Sequence, residues 1–182
     1  MIKISNTSIR DMFFGTDPIG RVYHGYDLIY PYRVSPIMSG NTTPSGEVKS
    51  SGNWSGSENW FAMDDDPTNP WMSHDNNNAW TSYNFGFGNG KIIRGFMMTT
   101  ANTDTHVASP KKMILHANNG GAVWDILGAW DNLTWGTMET KWFSLAKNNV
   151  RYEVFRITVL ETEEPTVGYV KIGNLVYYGL DN

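Results

Sequence analysis

Between Ser50 and Gly90 the chain carries no lysine or arginine, yet it holds four tryptophans, five acids and eight asparagines. Its centre runs Glu58-Asn-Trp-Phe-Ala-Met-Asp-Asp-Asp-Pro-Thr-Asn-Pro-Trp71-Met-Ser-His-Asp-Asn-Asn-Asn-Ala-Trp80. Oxygen ligands in a proline-punctuated turn suit a hard cation such as calcium. Aromatic planes beside amide groups suit a sugar ring. The chemistry indicated is binding rather than bond-making.

Asp64 and Asp66 stand one residue apart, so both carboxylates can be aimed at one cation while nearby carbonyls complete the shell. The same spacing serves a turn in which aspartate accepts backbone N–H groups, and both readings stand. Trp54, Trp130 and Trp135 lie among Gly, Asn, Asp and Thr, which marks them as candidate exposed stacking surfaces. A tryptophan that closes the end of a sandwich carries the same signature. Trp80, Trp124 and Trp142 sit in alternating apolar stretches and are expected in the core. His74 and Asn76 belong to a polar loop, and Asn102, Asp104 and His106 to a second one expected to reach the same end. The alternative for both is a solvated, Asn-rich turn.

Catalysis finds little support. His24, His74, His106 and His116 make no paired metal spacing, and neither a Gly-x-Ser-x-Gly elbow nor a phosphate loop is present. Glu58, Asp64 and Glu139 supply carboxylates, but glycoside hydrolysis needs two at a fixed separation across a cleft. The chain is therefore read as a non-enzyme. The absence of cysteine excludes disulfides, zinc thiolates and cysteine nucleophiles. A net charge of −4, with 14 scattered basic residues, argues against a nucleic-acid partner, which requires a clustered basic face. Met1-Ile-Lys-Ile-Ser-Asn-Thr lacks the profile of a signal peptide, and no apolar run approaches the ~18 residues of a membrane span. A protein made in the cytoplasm is expected.

The elements that must position these residues are strands. At 182 residues the chain suits one domain with an appendage. Aromatics at 14%, with 18 glycines and 8 prolines for turns, favour an all-β protein. Alternation marks strands at 80–87, 91–99, 112–117, 123–127 and 141–145. In the stretch 151–160, Phe155, Ile157 and Val159 share one face and Arg156 and Thr158 the other. From 169 to 178 the phase slips at Gly173-Asn174, which predicts a β-bulge. An antiparallel β-sandwich follows.

Ahead of it, Ile9-Arg-Asp-Met-Phe-Phe-Gly15 is echoed by Ile19-Gly-Arg-Val-Tyr-His-Gly25, a ten-residue period that fits short strands. Roughly 35 residues are too few to bury a core alone, so this arm must pack on the main domain, on a copy of itself or on another protein. The Pro, Gly, Ser and Thr of the following stretch place the boundary between an arm, 1–37, and a sandwich, 38–182.

The order of signals from Asn41 to Leu180 resembles a discoidin domain, the coagulation-factor C-type module related to galactose-binding modules. The likeness is carried by Thr43-Pro-Ser-Gly-Glu-Val-Lys-Ser-Ser51, by Asn59-Trp-Phe-Ala-Met-Asp64-Asp-Asp66-Pro-Thr-Asn-Pro-Trp71, by Trp80-Thr-Ser-Tyr-Asn-Phe-Gly86, by Lys91-Ile-Ile-Arg-Gly-Phe and by Ser109 to Trp124. The resemblance implies an antiparallel jelly-roll β-sandwich with binding loops at one end. It also implies a calcium site at Asp64, Asp66 and Asn174. Asp65 stands where the family's turn has glycine and Asn174 where it often has glutamate, and both change the oxygen set.

The N-terminal repeat, ending in Leu28-Ile-Tyr-Pro31, resembles short units of tailed-bacteriophage structural proteins. This implies a head- or tail-associated decoration protein of the virion, made in the host cytoplasm. Ile9, Phe13, Ile19, Tyr23, Leu28 and Tyr30 would attach it to other virion proteins. It would be a homo-oligomer, its loops turned to host glycans. A stand-alone carbohydrate-binding module and a cement protein without a glycan are the alternatives.

Overall fold

The computed structural model describes residues 13–14, 17–18, 23–24, 27–28, 32–102, 106–145 and 149–180. Two small antiparallel pairs come first, β1 (Phe13–Phe14) with β2 (Asp17–Pro18) and β3 (Tyr23–His24) with β4 (Asp27–Leu28). Phe13 faces Pro18 and Tyr23 faces Leu28, so the ten-residue sequence period is a backbone period too. Ile9, Ile19 and Tyr30 fall outside the described residues.

The sandwich opens with β5 (Tyr32–Arg33) and β6 (Glu47–Ser50), followed by β7 (Trp71–Met72), β8 (Ala79–Asn84) and β9 (Ile92–Thr99). Next come β10 (Pro110–Asn118), β11 (Asp125–Trp130), β12 (Thr140–Ser144) and β13 (Val154–Thr162). β14 (Lys171–Ile172) and β15 (Asn174–Leu180) end it. A five-stranded sheet runs β11-β10-β13-β8-β6 and a four-stranded sheet β12-β9-β15-β5; every named pairing is antiparallel. Among the described residues no helix is long and apolar enough to cross a membrane.

Side chains alternate across each strand, so one face of each sheet must be apolar. Phe155, Ile157 and Val159 of β13 are fully buried, as are Leu175 and Tyr177 of β15 and Phe96 of β9. Phe155 meets Tyr177 across the two sheets at 5.6 Å between ring centres, and Phe96 stacks on Phe143 at 4.8 Å. Each such phenylalanine ring contributes about 1.5–3 kcal/mol on burial.

Three expectations change. Tyr32 and Arg33 pair with Gly179 and Tyr178, and the Val34 amide reaches the Tyr177 carbonyl, so the sandwich begins at Tyr32 rather than at residue 38. The interruption at Gly173 is a change of sheet, not a bulge: β14 pairs with β7, while β15 pairs with β9 and β5. Trp80, Trp124 and Trp142 lie outside the core. In β8 the buried face is Ala79, Thr81 and Tyr83, which puts Trp80 on the outer one; in β12 Phe143 is buried and Trp142 is 38% exposed. The half-buried Trp124 precedes β11. The core tryptophans are Trp71 and Trp135 instead.

Candidate functional site

Pairing of β7 with β14 brings together three segments that are far apart in sequence. Trp71 faces Ile172 and Met72 faces Lys171. The Trp54 amide donates to the Met72 carbonyl at 3.0 Å, while Ser73 exchanges bonds with Val170: N–H to carbonyl at 3.0 Å, and Val170 N–H to Ser73 Oγ at 2.8 Å. The buried Ser73 fixes His74 on one side, as Val170 fixes Tyr169 on the other.

The result is an aromatic platform. Trp54 stacks on His74 with ring centres 5.8 Å apart and planes 14° apart, and meets the edge of Tyr169 at 6.3 Å. Lys171 Nζ lies 5.6 Å from the centre of the Tyr169 ring, and burial holds its pKa below the usual lysine range. Trp54 remains 46% exposed, so an indole face fixed by backbone and ring contacts is offered to solvent. Such a face gives a sugar ring a dispersion surface at small entropic cost, because the contacts already hold the rotamer.

The other expected residues divide. Asn76 donates from Nδ2 to the Pro165 carbonyl at 2.5 Å and thereby ties the loop down; it positions His74 rather than adding a free amide. Asn102 is exposed, with its N–H on the Pro67 carbonyl at 3.2 Å. Asp104 and the His106 side chain lie outside what the structure describes. Trp130 is half-buried against Phe96 and Phe143, at 5.2 Å from each. Trp135 is buried, its indole N–H donating to the Pro110 carbonyl at 2.7 Å. These two belong to the packing and are not stacking platforms: each finds partners from distant strands that its polar neighbours in sequence do not reveal. Tyr169, absent from the sequence expectations, joins Trp54 and His74 in the site, where it follows the left-handed Gly168, φ 73°.

The acidic turn is held by protein donors. Asp64 accepts the Asp66 N–H at 2.8 Å and the Asn69 amide at 3.2 Å. Burial raises the Asp64 pKa, whereas bonds from Thr68 lower that of Asp66. Asp66 Oδ1 accepts the Thr68 N–H at 2.9 Å and its hydroxyl at 2.5 Å. Asp65, at φ 62°, pairs with Arg33 and accepts the Asn174 amide at 3.0 Å. Asn174 Oδ1 is buried without a partner, an atom that a cation would satisfy. The rest of the set does not fit calcium as it stands: both oxygens of Asp64 and of Asp65 and one of Asp66 are engaged by protein donors, Arg33 supplies the positive charge, and Asn174 turns its N–H edge to Asp65. Among the described residues no three His, Asp or Glu gather around a common point.

No protein-family model matches the sequence, and no curated protein sequence matches it. Solved structures do. The family 32 carbohydrate-binding module of Clostridium perfringens NanJ, in complex with galactose, matches with a TM-score of 0.58 at 18% identity, over 73% of this chain and 93% of that one. An F5/8 type C domain from Bacteroides fragilis matches at TM-score 0.62 and 12% identity, over 75% and 93%. Chitosan-binding module 1 from a Paenibacillus chitosanase/glucanase matches at 0.58 and 16%, over 80% and 100%. The chain thus has the discoidin-like β-sandwich fold shared by these modules.

Proposed function

We propose that this chain is a glycan-binding module in which Trp54, with His74 and Tyr169, receives the apolar face of a sugar ring. The observation that supports this reading is the exposed, pre-oriented Trp54 indole stacked on His74. The similar solved structures add weight, since two of them are carbohydrate-binding modules, one with galactose. The experiment is calorimetric titration of neutral galactose-type and cationic glucosamine-type oligosaccharides into the wild type and Trp54→Ala. Binding that disappears in a variant of unchanged melting temperature supports the reading; binding that survives it overturns it.

We further propose that the N-terminal repeat attaches the module to a phage particle as a decoration protein assembled in the host cytoplasm, where many copies would raise the effective concentration of weak sites. The support is the ten-residue period shared by sequence and strand pairing. Because the sandwich starts at Tyr32, the informative deletion is 1–31. Loss of particle incorporation by a folded remainder supports attachment, and loss of folding shows that the arm belongs to the sandwich.

A further inference from the structure

The outer face of the five-stranded sheet carries a second constellation that shares no residue with the Trp54 platform. Register sets Lys49, Ser82, Arg156 and His116 in one row across β6, β8, β13 and β10. Trp80, opposite Thr158, begins the adjacent row, and Trp124 leads into β11. A groove of about 260 Å³ lies over the row, lined by Lys49, Trp80, Ser82, Asn84, Trp124 and Arg156 among others.

Arg156 is the centre of this groove. Its guanidinium carbon sits 4.0 Å from the Trp124 ring centre and 5.7 Å from that of Trp80. Yet among the described residues it forms no ion pair and donates no hydrogen bond, and its Nε is enclosed without an acceptor. Cation–π contact offsets part of the cost of burying an unpaired guanidinium, but it leaves the donors unsatisfied. The planar fork of five N–H donors matches a carboxylate in two-point geometry. Lys49 and Glu47, 2.8 Å apart, neutralise one another, so this groove has a net positive centre on a chain of net charge −4.

We propose that this groove binds a carboxylate-bearing saccharide, with the acid on the Arg156 fork and the sugar ring against Trp80 and Trp124. Two aromatic planes around one anion subsite, bordered by the Ser82 hydroxyl and the Asn84 amide, suit a ring that carries both an acid and hydroxyls. An acidic peptide would leave those planes unfilled.

The test uses the full chain, titrated with oligogalacturonate, with the neutral galactose oligosaccharide of equal length, with oligoglutamate and with sodium acetate, while the tryptophan indole NMR signals are followed. Oligogalacturonate is expected to shift the Trp80 and Trp124 signals, and Arg156→Gln to weaken its binding by about tenfold or more, the loss of a charge-assisted bond. Trp54→Ala is expected to leave it within about twofold, because distant sites act independently. This separates failure of the groove from failure of the platform. Trp124→Ala, which keeps the cation, is expected to weaken binding as well. Equal shifts by the neutral sugar, by oligoglutamate or by acetate at the same concentration would overturn the proposal. Full affinity in both Arg156→Gln and Trp124→Ala would do the same.

Discussion

Arg33 and Asp65, 32 positions apart, form an ion pair that ties the edge strand β5 to the acidic turn. The other Asp65 oxygen accepts the Asn174 amide from β15, so three segments meet at one carboxylate. Both partners are about a third exposed, at 27% and 35%, so the pair contributes at the level of a screened surface interaction. Arg33→Gln is expected to lower stability by about 1 kcal/mol or less, and by less again in about 1 M salt. Urea denaturation at two salt concentrations measures it; a difference that grows with salt would sink the electrostatic explanation.

Calcium at the millimolar level is expected to leave the thermal midpoint of the wild type unchanged, because Asp64 and Asp65 are already held by N–H donors and Arg33, which leaves Asp66 too few companions for a shell of six or more oxygens. A specific ion must raise the stability of the state that binds it. An upward shift that is lost in Asp64→Asn would show that the turn rearranges to hold one.

Trp54 and Trp135 are predicted to behave oppositely although both sit among polar neighbours in sequence. Trp135→Ala leaves a cavity beside Phe143 and removes the indole donor from the Pro110 carbonyl, and is expected to cost about 3–5 kcal/mol. Trp54→Ala removes a half-exposed ring and is expected to change stability by no more than about 0.5 kcal/mol. Chemical denaturation of the two variants side by side decides it, and similar losses would contradict the division into packing and platform.

The contrast shows what local sequence carries. Phe155, Ile157 and Val159 announce their strand because burial on one face imposes a period of two, and Arg156 between them is legible as outward-facing for the same reason. Trp80 lies on the outer face because phase decides against size: the smaller Ala79 and Thr81 occupy the inner face. Gly173 was visible as an interruption, but whether a chain bulges or changes sheet depends on which strands lie beside it. The platform was legible only in part, at Trp54 and His74. Its third member, Tyr169, arrives through the pairing of β7 with β14, and no local pattern encodes a contact across so much chain.

His116 is predicted to make the stability of the sheet depend on pH. It lies in register between Arg156 on β13 and Ile126 on β11, its Nδ1 is 3.3 Å from the Thr158 hydroxyl, and Trp124 presents an edge to it. Burial first, and the Arg156 charge second, hold its pKa below 6.5. With the folded value depressed, the unfolded chain takes up the proton first. The stability present above pH 6.5 is therefore lost as pH falls through the folded value. His116→Gln is expected to flatten that slope by a fraction of ~1.4 kcal/mol per pH unit. An NMR titration placing the His116 midpoint at or above 6.5 would remove the basis for it.

Gly173 is predicted to couple the fold to the platform. A Cβ there would lie 2.6 Å from the Thr100 carbonyl oxygen and 2.9 Å from the Ala101 nitrogen, and both are backbone atoms that cannot swing aside. The Gly173 N–H also donates to the Thr99 carbonyl at 2.9 Å, which pins the chain where it passes from β14 to β15. Gly173→Ala must push these segments apart, at a cost of about 1–3 kcal/mol. The displacement falls on β14 and hence on β7, whose Met72 carbonyl holds the Trp54 amide. Glycan affinity at the platform is therefore expected to drop along with stability, while oligogalacturonate shifts at Trp80 and Trp124 persist, because β8 and β13 pair with neither β14 nor β15. A variant that loses both responses equally, or neither, would show that the sheet change at Gly173 does not set the platform.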